Sequence, residues 1–254
     1  MAVALLHGLG NDRSQLPALL GSTIPASQTV VAPDVRAHGA SPLLGEPRDF
    51  RLDALAAELA EQIREGLAGD TSPIILIGVS MGAALALRIV LDATLPVERA
   101  VFIRPAFTSE SLPRNLRAFP VIGELLAELG PARGEEVFRS SELFRGIREQ
   151  SPAGAAAVLA QFRTPDAAAR AIRLVEVPRN VAYRDPSELA AVTVPAAVVS
   201  AQRDPVHPEA IAHEWHGALP EARLFTIPPR DDGARAQAAE CRRAVASWLG
   251  WARG

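Results

Sequence analysis

Residues 74–85 read Ile-Ile-Leu-Ile-Gly-Val-Ser-Met-Gly-Ala-Ala-Leu. The apolar run at the start predicts a buried strand, and the apolar residues from Met81 onward predict a buried helix. Between them lies Gly78-x-Ser80-x-Gly82. A serine at such a sharp strand-to-helix turn is held in a strained backbone conformation that lifts its hydroxyl above the sheet. The helix N-terminus supplies free N–H groups for a developing oxyanion, so the pattern predicts Ser80 as a nucleophile.

Short apolar runs alternate with longer helical patterns on both sides of this stretch. The predicted strands are Val3–Leu6, Thr29–Ala32, Ile74–Gly78, Ala100–Ile103, Ala196–Ser200 and Leu224–Ile227. The predicted helices flanking them are Leu52–Leu67, Met81–Leu91 and Ala234–Leu249. This alternation favours an α/β fold with a mostly parallel sheet flanked by helices.

The region between the fourth and fifth predicted strands has a different character. It contains helical patterns but no strand pattern, and Pro and Gly interrupt it repeatedly. The helices predicted there are Val121–Leu129, Glu135–Arg148, Ala153–Phe162 and Asp166–Val175. We therefore interpret residues 105–189 as a helical insertion, and residues 1–104 and 190–254 as the α/β core.

Composition excludes several kinds of chemistry. The chain has 254 residues, of which 48% are hydrophobic, and all 26 basic residues are Arg. Without Lys there is no Schiff base, no phosphate-loop lysine and no Ser-Lys catalytic pair. The single cysteine, Cys241, excludes an internal disulfide and a Cys-rich metal site, and its position on the last predicted helix indicates the core. We expect no cofactor and no metal.

The charge pattern and the length of the apolar runs indicate which kinds of partner to expect. The formal net charge is -3 and the arginines are dispersed, so no basic stripe for nucleic acid is expected. The apolar runs are too short to span a bilayer, and the start of the chain lacks the pattern of a secretory signal. We expect a cytoplasmic protein whose partner is a small-molecule substrate rather than nucleic acid or a membrane. The sequence indicates no oligomeric state.

Three further segments match a known family in order. Leu5-Leu-His7-Gly8-Leu9-Gly10 follows the first strand, Pro33-Asp-Val-Arg-Ala-His-Gly-Ala-Ser41 follows the second, and Val198-Val-Ser-Ala-Gln-Arg-Asp204-Pro follows the fifth. With the Ser80 elbow, the chain resembles the α/β-hydrolase superfamily of the kind with a helical cap. Ala37 replaces a Gly of that family's second loop, and the leading β-hairpin of the family is not expected because the first strand starts near Met1.

The resemblance implies the roles of four residues. Ser80 is the nucleophile, and the Leu9 and Met81 N–H groups form the oxyanion hole. Asp204 is the acid that orients the base. The helical insertion corresponds to the family's cap.

The base departs from the family pattern. The usual His after the last strand is missing, and that segment reads Pro228-Pro-Arg230-Asp231-Asp232-Gly. An unassisted Ser hydroxyl is a poor nucleophile, and an Asp base is weaker than His by about 2–3 pKa units. His207 follows Asp204 by three residues and is the leading substitute, although a packing role at a helix start gives the same sequence. The base is therefore His207, Asp231, Asp232 or none of these.

Five other residues are weaker candidates. Arg104 follows the fourth strand, where it either binds an acidic group of a ligand or forms a salt bridge. His7 either orients the oxyanion loop or contacts substrate, and His38 matches a structural position of the family. His213 and His216 have the i, i+3 spacing of metal ligands, but a solvated helix face explains them better because no third ligand accompanies them.

Three functions fit these residues. The first is a serine hydrolase acting on an ester, thioester, lactone or amide bond of a small apolar molecule. The second is a ligand-binding protein that has lost hydrolysis, which the missing His supports. The third is a lyase or transferase on the same fold, because site chemistry and not fold decides function.

Overall fold

A six-stranded sheet forms the centre of the molecule in the computed structural model, which describes residues 2–251. The strands are β1 Ala2–Leu6, β2 Thr29–Val31, β3 Ile74–Val79, β4 Val97–Ile103, β5 Ala196–Ala201 and β6 Ala222–Ile227. Their order is β2-β1-β3-β4-β5-β6, and every neighbouring pair is parallel. The predicted fold class and all six predicted strands are confirmed.

Ten α-helices accompany these strands in the described residues. They are α1 Gln15–Leu20, α2 Leu52–Gly66, α3 Met81–Leu91, α4 Ala118–Ser140, α5 Glu142–Gln150, α6 Pro152–Leu159, α7 Ile172–Glu176, α8 Pro186–Ala190, α9 Glu209–Ala218 and α10 Ala234–Leu249. α4 consists of two helical segments that meet at a kink at Gly130, where φ is 71°. None of the described helices has the length and apolarity needed to cross a membrane.

Both faces of the sheet are buried. Along β1, Ala4 and Leu6 belong to the apolar cluster formed with α2, α3, α9 and the helical insertion. Val3 and Leu5 point to the opposite face and pack with α1 and α10. Successive strand residues alternate between faces, so a strand buried on both sides reads as a continuous apolar run. This is why the strands could be recognised from the sequence.

The strand order reverses beside β1, and this reversal locates the site. The chain moves from β1 outward to β2 and then crosses back to β3 on the other side of β1. In open parallel sheets, ligands bind at the carboxyl ends of the strands at such a reversal. The loops that begin at His7 and Ser80 leave these two carboxyl ends.

Three strands begin earlier than predicted, β1 by one residue and β4 and β6 by more. β4 begins at Val97 and β6 at Ala222, whereas β2 ends one residue short of its prediction, at Val31. The added residues include Glu98 and Arg223, which are exposed. Charged residues at an exposed strand end interrupt the apolar pattern without interrupting the backbone ladder, so the pattern underestimated β4 and β6.

The predicted helices of the insertion are partly wrong. The prediction Glu135–Arg148 crosses a helix boundary, because the Ser141 side chain accepts the Phe144 N–H at 3.1 Å and starts α5. The prediction Asp166–Val175 is wrong over its first half, which forms turns. The division into a core and a separate insertion of residues 105–189 stays a prediction.

Candidate active site

The backbone at Ser80 has the strained geometry expected of an elbow. Its φ is 56° and its ψ is −116°, in a region that non-glycine residues rarely adopt. A Cβ on Gly78 would collide with the Gly82 carbonyl, and a Cβ on Gly82 would collide with the Leu6 carbonyl of β1. Both glycines are therefore required for the close contact of β3, α3 and β1. The Ser80 N–H donates to the Ile103 carbonyl at 2.9 Å, which ties the elbow to β4.

The loop after β1 lies directly against this elbow. A Cβ on Gly8 would lie 3.4 Å from the Ser80 Cβ. The Gly8 N–H donates to Gln15 Oε1 at 2.7 Å, which fixes the loop. Within the described residues, the backbone N–H groups of Leu9 and Met81 have no hydrogen-bond acceptor. Two free N–H groups on adjoining loops are the arrangement that an oxyanion requires.

The structure holds His7 below the site and not at its wall. Its Nδ1 lies 2.9 Å from the Gly8 carbonyl, and its Nε2 accepts the Val35 N–H at 3.0 Å. Burial lowers the pKa of His7, and burial together with the neighbouring His7 holds the pKa of His38 well below its usual range. Both rings are neutral at neutral pH. His7 thus has the contacts of a residue that orients the oxyanion loop.

Asp204 and His207 form a hydrogen-bonded pair. His207 Nδ1 lies 2.9 Å from Asp204 Oδ2, while Asp204 Oδ1 accepts the N–H groups of Val206 and His207 at 3.0 and 3.1 Å. Burial acts to raise the pKa of Asp204, but His207 and Arg104 outweigh it and hold that pKa far below its usual range. An ionised Asp204 fixes the proton of His207 on Nδ1. The other ring nitrogen, Nε2, is buried and has no hydrogen-bond partner in the described residues, so it is not hydrogen-bonded to Ser80.

Arg104 contacts the same carboxylate from the end of β4. Its Nη1 lies 3.4 Å from Asp204 Oδ2, and the two side chains are 18% and 13% exposed. Its backbone has a φ of 47°, and its N–H donates to the Val199 carbonyl at 2.7 Å. The structure therefore gives Arg104 a salt bridge to the acid while leaving it on the cavity wall.

The two aspartates after β6 are engaged elsewhere. Asp231 accepts the Ser151 hydroxyl at 2.5 Å and the Ala153 N–H at 2.8 Å, both at the start of α6. The hydrogen bond from Ser151 is the main cause that lowers the pKa of Asp231, which makes it a weak base. Asp232 forms an exposed ion pair with Arg203. Neither aspartate lines the cavity that contains Ser80.

One cavity of about 740 Å³ contains most of these groups. Its walls include Ser80, Leu9, Arg104, Asp204 and His207. The segment between β4 and β5 adds an apolar wall made of Leu116, Phe119 and Val158. The sequence-predicted nucleophile, acid and leading base candidate are thus brought to one cavity, but His7 is not.

Cys241 also reaches this cavity. It is only 2% exposed and belongs to the apolar cluster beneath the sheet, as the sequence indicates. Burial raises the pKa of its thiol to about 11. At neutral pH the thiol is uncharged, so the side chain acts as part of an apolar wall.

His213 and His216 lie on α9, where His213 is exposed and His216 half-buried. Among the described residues, no group of three or more His, Cys, Asp or Glu side chains could hold a metal ion.

Sequence reasoning missed two polar residues of the insertion that shape the site. Asn115 Nδ2 donates to the Ala106 and Val206 carbonyls at 2.9 and 2.7 Å, which holds the loop of Asp204 and His207. Gln161 packs on Gly10, where a Cβ would collide with its amide. No local pattern marks either residue, because each acts on a loop distant in sequence.

Comparisons with known proteins agree with this fold. A model of the alpha/beta hydrolase family matches residues 3–243. Comparison with curated proteins finds no match. Among solved structures, the chain is similar to a thermophilic esterase from Thermogutta terrifontis, with a TM-score of 0.72, 21% identity, and coverage of 98% of this chain and 89% of the esterase. It is also similar to the enol-lactonase from Burkholderia xenovorans, with a TM-score of 0.67, 19% identity, and coverage of 98% and 91%.

Proposed function

The chain belongs to the alpha/beta hydrolase family, and from that premise we propose that it hydrolyses an ester, thioester, lactone or amide bond of a small molecule through Ser80. The observation that carries the proposal is the joint exposure of Ser80 and the Asp204–His207 pair to one cavity. The esterase and lactonase activities named for two structural neighbours support the same reaction class.

The reaction begins with proton transfer from Ser80 to His207. The Ser80 Oγ attacks the substrate carbonyl carbon as its proton moves to His207 Nε2. The carbonyl oxygen becomes an oxyanion, which accepts hydrogen bonds from the Leu9 and Met81 N–H groups. His207 then returns its proton to the leaving group as the carbonyl reforms, which leaves an acyl-enzyme. Water attacks that ester by the same proton transfers and regenerates Ser80.

His207 serves as the base because its environment suits that role. The carboxylate of Asp204 fixes the proton of His207 on Nδ1, and Nε2, which has no other hydrogen-bond partner among the described residues, is the ring nitrogen left to accept the proton of Ser80. Asp231, at the family's usual His position, is less suited to act as a base. Its carboxylate accepts hydrogen bonds from Ser151 and Ala153, and its pKa is lowered. Acid and base then come from one loop, three residues apart, instead of from two strands.

The apolar side of the cavity indicates the kind of substrate. Leu116, Phe119 and Val158 line the same cavity as the polar groups and make part of its wall apolar. Small-molecule sites combine such walls with a few convergent polar groups. We therefore expect a substrate with an apolar segment next to its scissile carbonyl.

A second candidate function is binding without hydrolysis. The observation that favours it is the absence of a hydrogen bond between His207 Nε2 and Ser80. Catalytic hydrogen bonds are often long before substrate binds, so this geometry does not exclude proton transfer. The two functions differ in whether Ser80 reacts.

The test is covalent labelling followed by ester turnover. Intact mass after treatment with a fluorophosphonate should show one adduct, which Ser80→Ala abolishes. A panel of p-nitrophenyl esters should then show turnover that Ser80→Ala also abolishes. An adduct retained by Ser80→Ala would overturn the assignment of the nucleophile. Ligand binding that Ser80→Ala leaves intact, without labelling or turnover in the unmodified protein, would establish the second candidate instead.

A further inference from the structure

A second cavity, of about 390 Å³, adjoins the one that contains Ser80. The two cavities share five lining residues, which are Gly10, Asn11, Asp12, Thr164 and Pro165. The second cavity is also lined by three arginines, Arg13, Arg170 and Arg173. We call it the arginine cavity. The shared residues Gly10, Asn11 and Asp12 follow Leu9 in the loop after β1, so the second cavity lies beside the candidate oxyanion loop.

Arg173 is the unusual residue of the arginine cavity. It is only 2% exposed, and no carboxylate of the described residues lies within 4.0 Å of its guanidinium. Its two hydrogen bonds go to neutral oxygens, the Ala37 carbonyl at 2.6 Å and the Thr164 hydroxyl at 3.1 Å. Its Nε has no partner in the described residues. A buried charge without a counter-ion is costly to stability, and an anion bound beside it would offset that cost.

Arg173 nevertheless stays charged. Burial, followed by the nearby Arg170, lowers the pKa of Arg173 to about 10. At neutral pH this is still a protonated guanidinium. The histidines beside it, His7 and His38, have lowered pKa values and add no charge.

Apart from Arg173, the charged residues that line the arginine cavity are two arginines and two aspartates, whose charges cancel. Arg13 Nε lies 2.7 Å from Asp34 Oδ2, so these two neutralise each other. Asp12 accepts the Ser14 N–H and hydroxyl and is the second acid of the wall. Arg170 donates to the Gly39 carbonyl at 3.0 Å, and its nearest carboxylate, 3.8 Å away, is the exposed Asp166. Three arginines and two aspartates leave one net positive charge on the lining.

We propose that the arginine cavity binds a carboxylate carried by the substrate whose scissile bond lies at Ser80, an inference that rests on the proposed hydrolase function. Arg173 and Arg170 both line this cavity, and guanidinium groups bind the planar carboxylate with two parallel hydrogen bonds. A single negative charge also balances the single net positive charge of the lining. A dianionic phosphate would meet Asp34 and Asp12 without enough positive charge to offset them.

The kinetic test compares two esters of similar length. Mono-p-nitrophenyl glutarate carries a carboxylate at the end of its acyl chain, and p-nitrophenyl pentanoate carries a methyl group. The unmodified protein should have a kcat/KM at least tenfold higher for the glutarate ester. Arg173→Gln and Arg170→Gln should each reduce this ratio by about tenfold. The matched control is Arg145→Gln, an exposed arginine of α5 without an ion pair among the described residues, which should leave the ratio unchanged.

A binding experiment separates this proposal from the hydrolase proposal. Calorimetry measures the binding of monomethyl glutarate to Ser80→Ala and to three double variants, in which Ser80→Ala is combined with Arg173→Gln, Arg170→Gln or Arg145→Gln. Each variant is first shown to be folded by a cooperative thermal melt. Loss of binding on adding Arg173→Gln or Arg170→Gln, but not on adding Arg145→Gln, supports the carboxylate site even if no ester is hydrolysed. Equal binding in all combinations overturns the site whatever the kinetics show. Inorganic phosphate that displaces monomethyl glutarate at lower concentration overturns the choice of a carboxylate.

Discussion

His207 Nδ1 lies 2.9 Å from Asp204 Oδ2, and the two residues stand on one loop, three positions apart. The backbone N–H of His207 also donates to Asp204 Oδ1, so both the side chain and the backbone of His207 are fixed relative to the Asp204 carboxylate. Asn115 fixes the same loop through the Val206 carbonyl. Under the proposed function, this pair supplies acid and base from one loop in a chain without the usual His after its last strand, and both residues line the cavity that contains Ser80.

Replacing either member of this pair should remove most of the activity. Because general-base catalysis contributes about 10²–10⁴-fold, His207→Gln and Asp204→Asn should each lower kcat by that order. The matched control is Asp231→Asn, which should leave kcat within about threefold. Steady-state kinetics on one p-nitrophenyl ester checks all three variants. A large loss of kcat in Asp231→Asn with little loss in His207→Gln would transfer the role of base to Asp231.

The two glycines of the elbow should tolerate no side chain. A Cβ on Gly82 would collide with the Leu6 carbonyl, so Gly82→Ala must displace β1 or α3. We expect it to lower the free energy of unfolding by about 3 kcal/mol or more and to abolish labelling of Ser80. The control is Gly146→Ala in α5, where a Cβ meets nothing within 4 Å, and which should stabilise the protein by about 0.5–1 kcal/mol. Denaturant unfolding measures both.

The sequence was informative where structure is local. The strand, elbow and helix around Ser80 follow from twelve consecutive residues, and the six strands follow from apolar runs buried on both faces of the sheet. The sequence also named Asp204 and His207 as candidates three residues apart, and their side chains lie 2.9 Å from each other. The sequence failed at helix ends inside the insertion, because Ser141 starts α5 within a helical pattern.

Contacts between segments that are distant in the chain could not be predicted from the sequence. Asp231 reads as a candidate base because it stands where the family places a His, yet it binds Ser151 and Ala153, eighty residues earlier in the chain. Gln161 reaches Gly10 from the insertion in the same way. Nothing in the sequence distinguishes Arg173 from the other arginines. Only the folded structure shows that it is buried without a carboxylate nearby.

The contact of Asp231 with α6 should depend on pH. Its pKa is lowered in the folded state, mainly by the Ser151 hydroxyl. The contribution to stability is therefore present above about pH 4, the ordinary Asp value, and is lost as the pH falls through the folded-state pKa. Asp231→Asn should cost about 1 kcal/mol at pH 7, as other helix-terminus contacts do. The difference from the unmodified protein should shrink at pH 3 in denaturant unfolding, and a constant difference would refute this account.

Cys241 should resist thiol reagents although it lines the cavity. Burial raises its pKa to about 11, so at pH 8 only about one thiol in a thousand is ionised. The reaction with dithionitrobenzoate at pH 8 should be at least a hundredfold slower in the folded protein than in guanidinium. Because the folded state disfavours the thiolate, stability should fall as the pH rises from about 8.5 toward 11. Rapid modification of the folded protein would show that the thiol is ionised or accessible.

The central claim is that His207 activates Ser80, and the acylation step reports on it directly. Stopped-flow mixing with p-nitrophenyl acetate should release one p-nitrophenol per chain in a burst that Ser80→Ala abolishes. His207→Gln should slow the burst rate by at least a hundredfold without changing its amplitude, whereas Asp231→Asn should leave the rate unchanged. A burst in His207→Gln as fast as that of the unmodified protein would contradict the account.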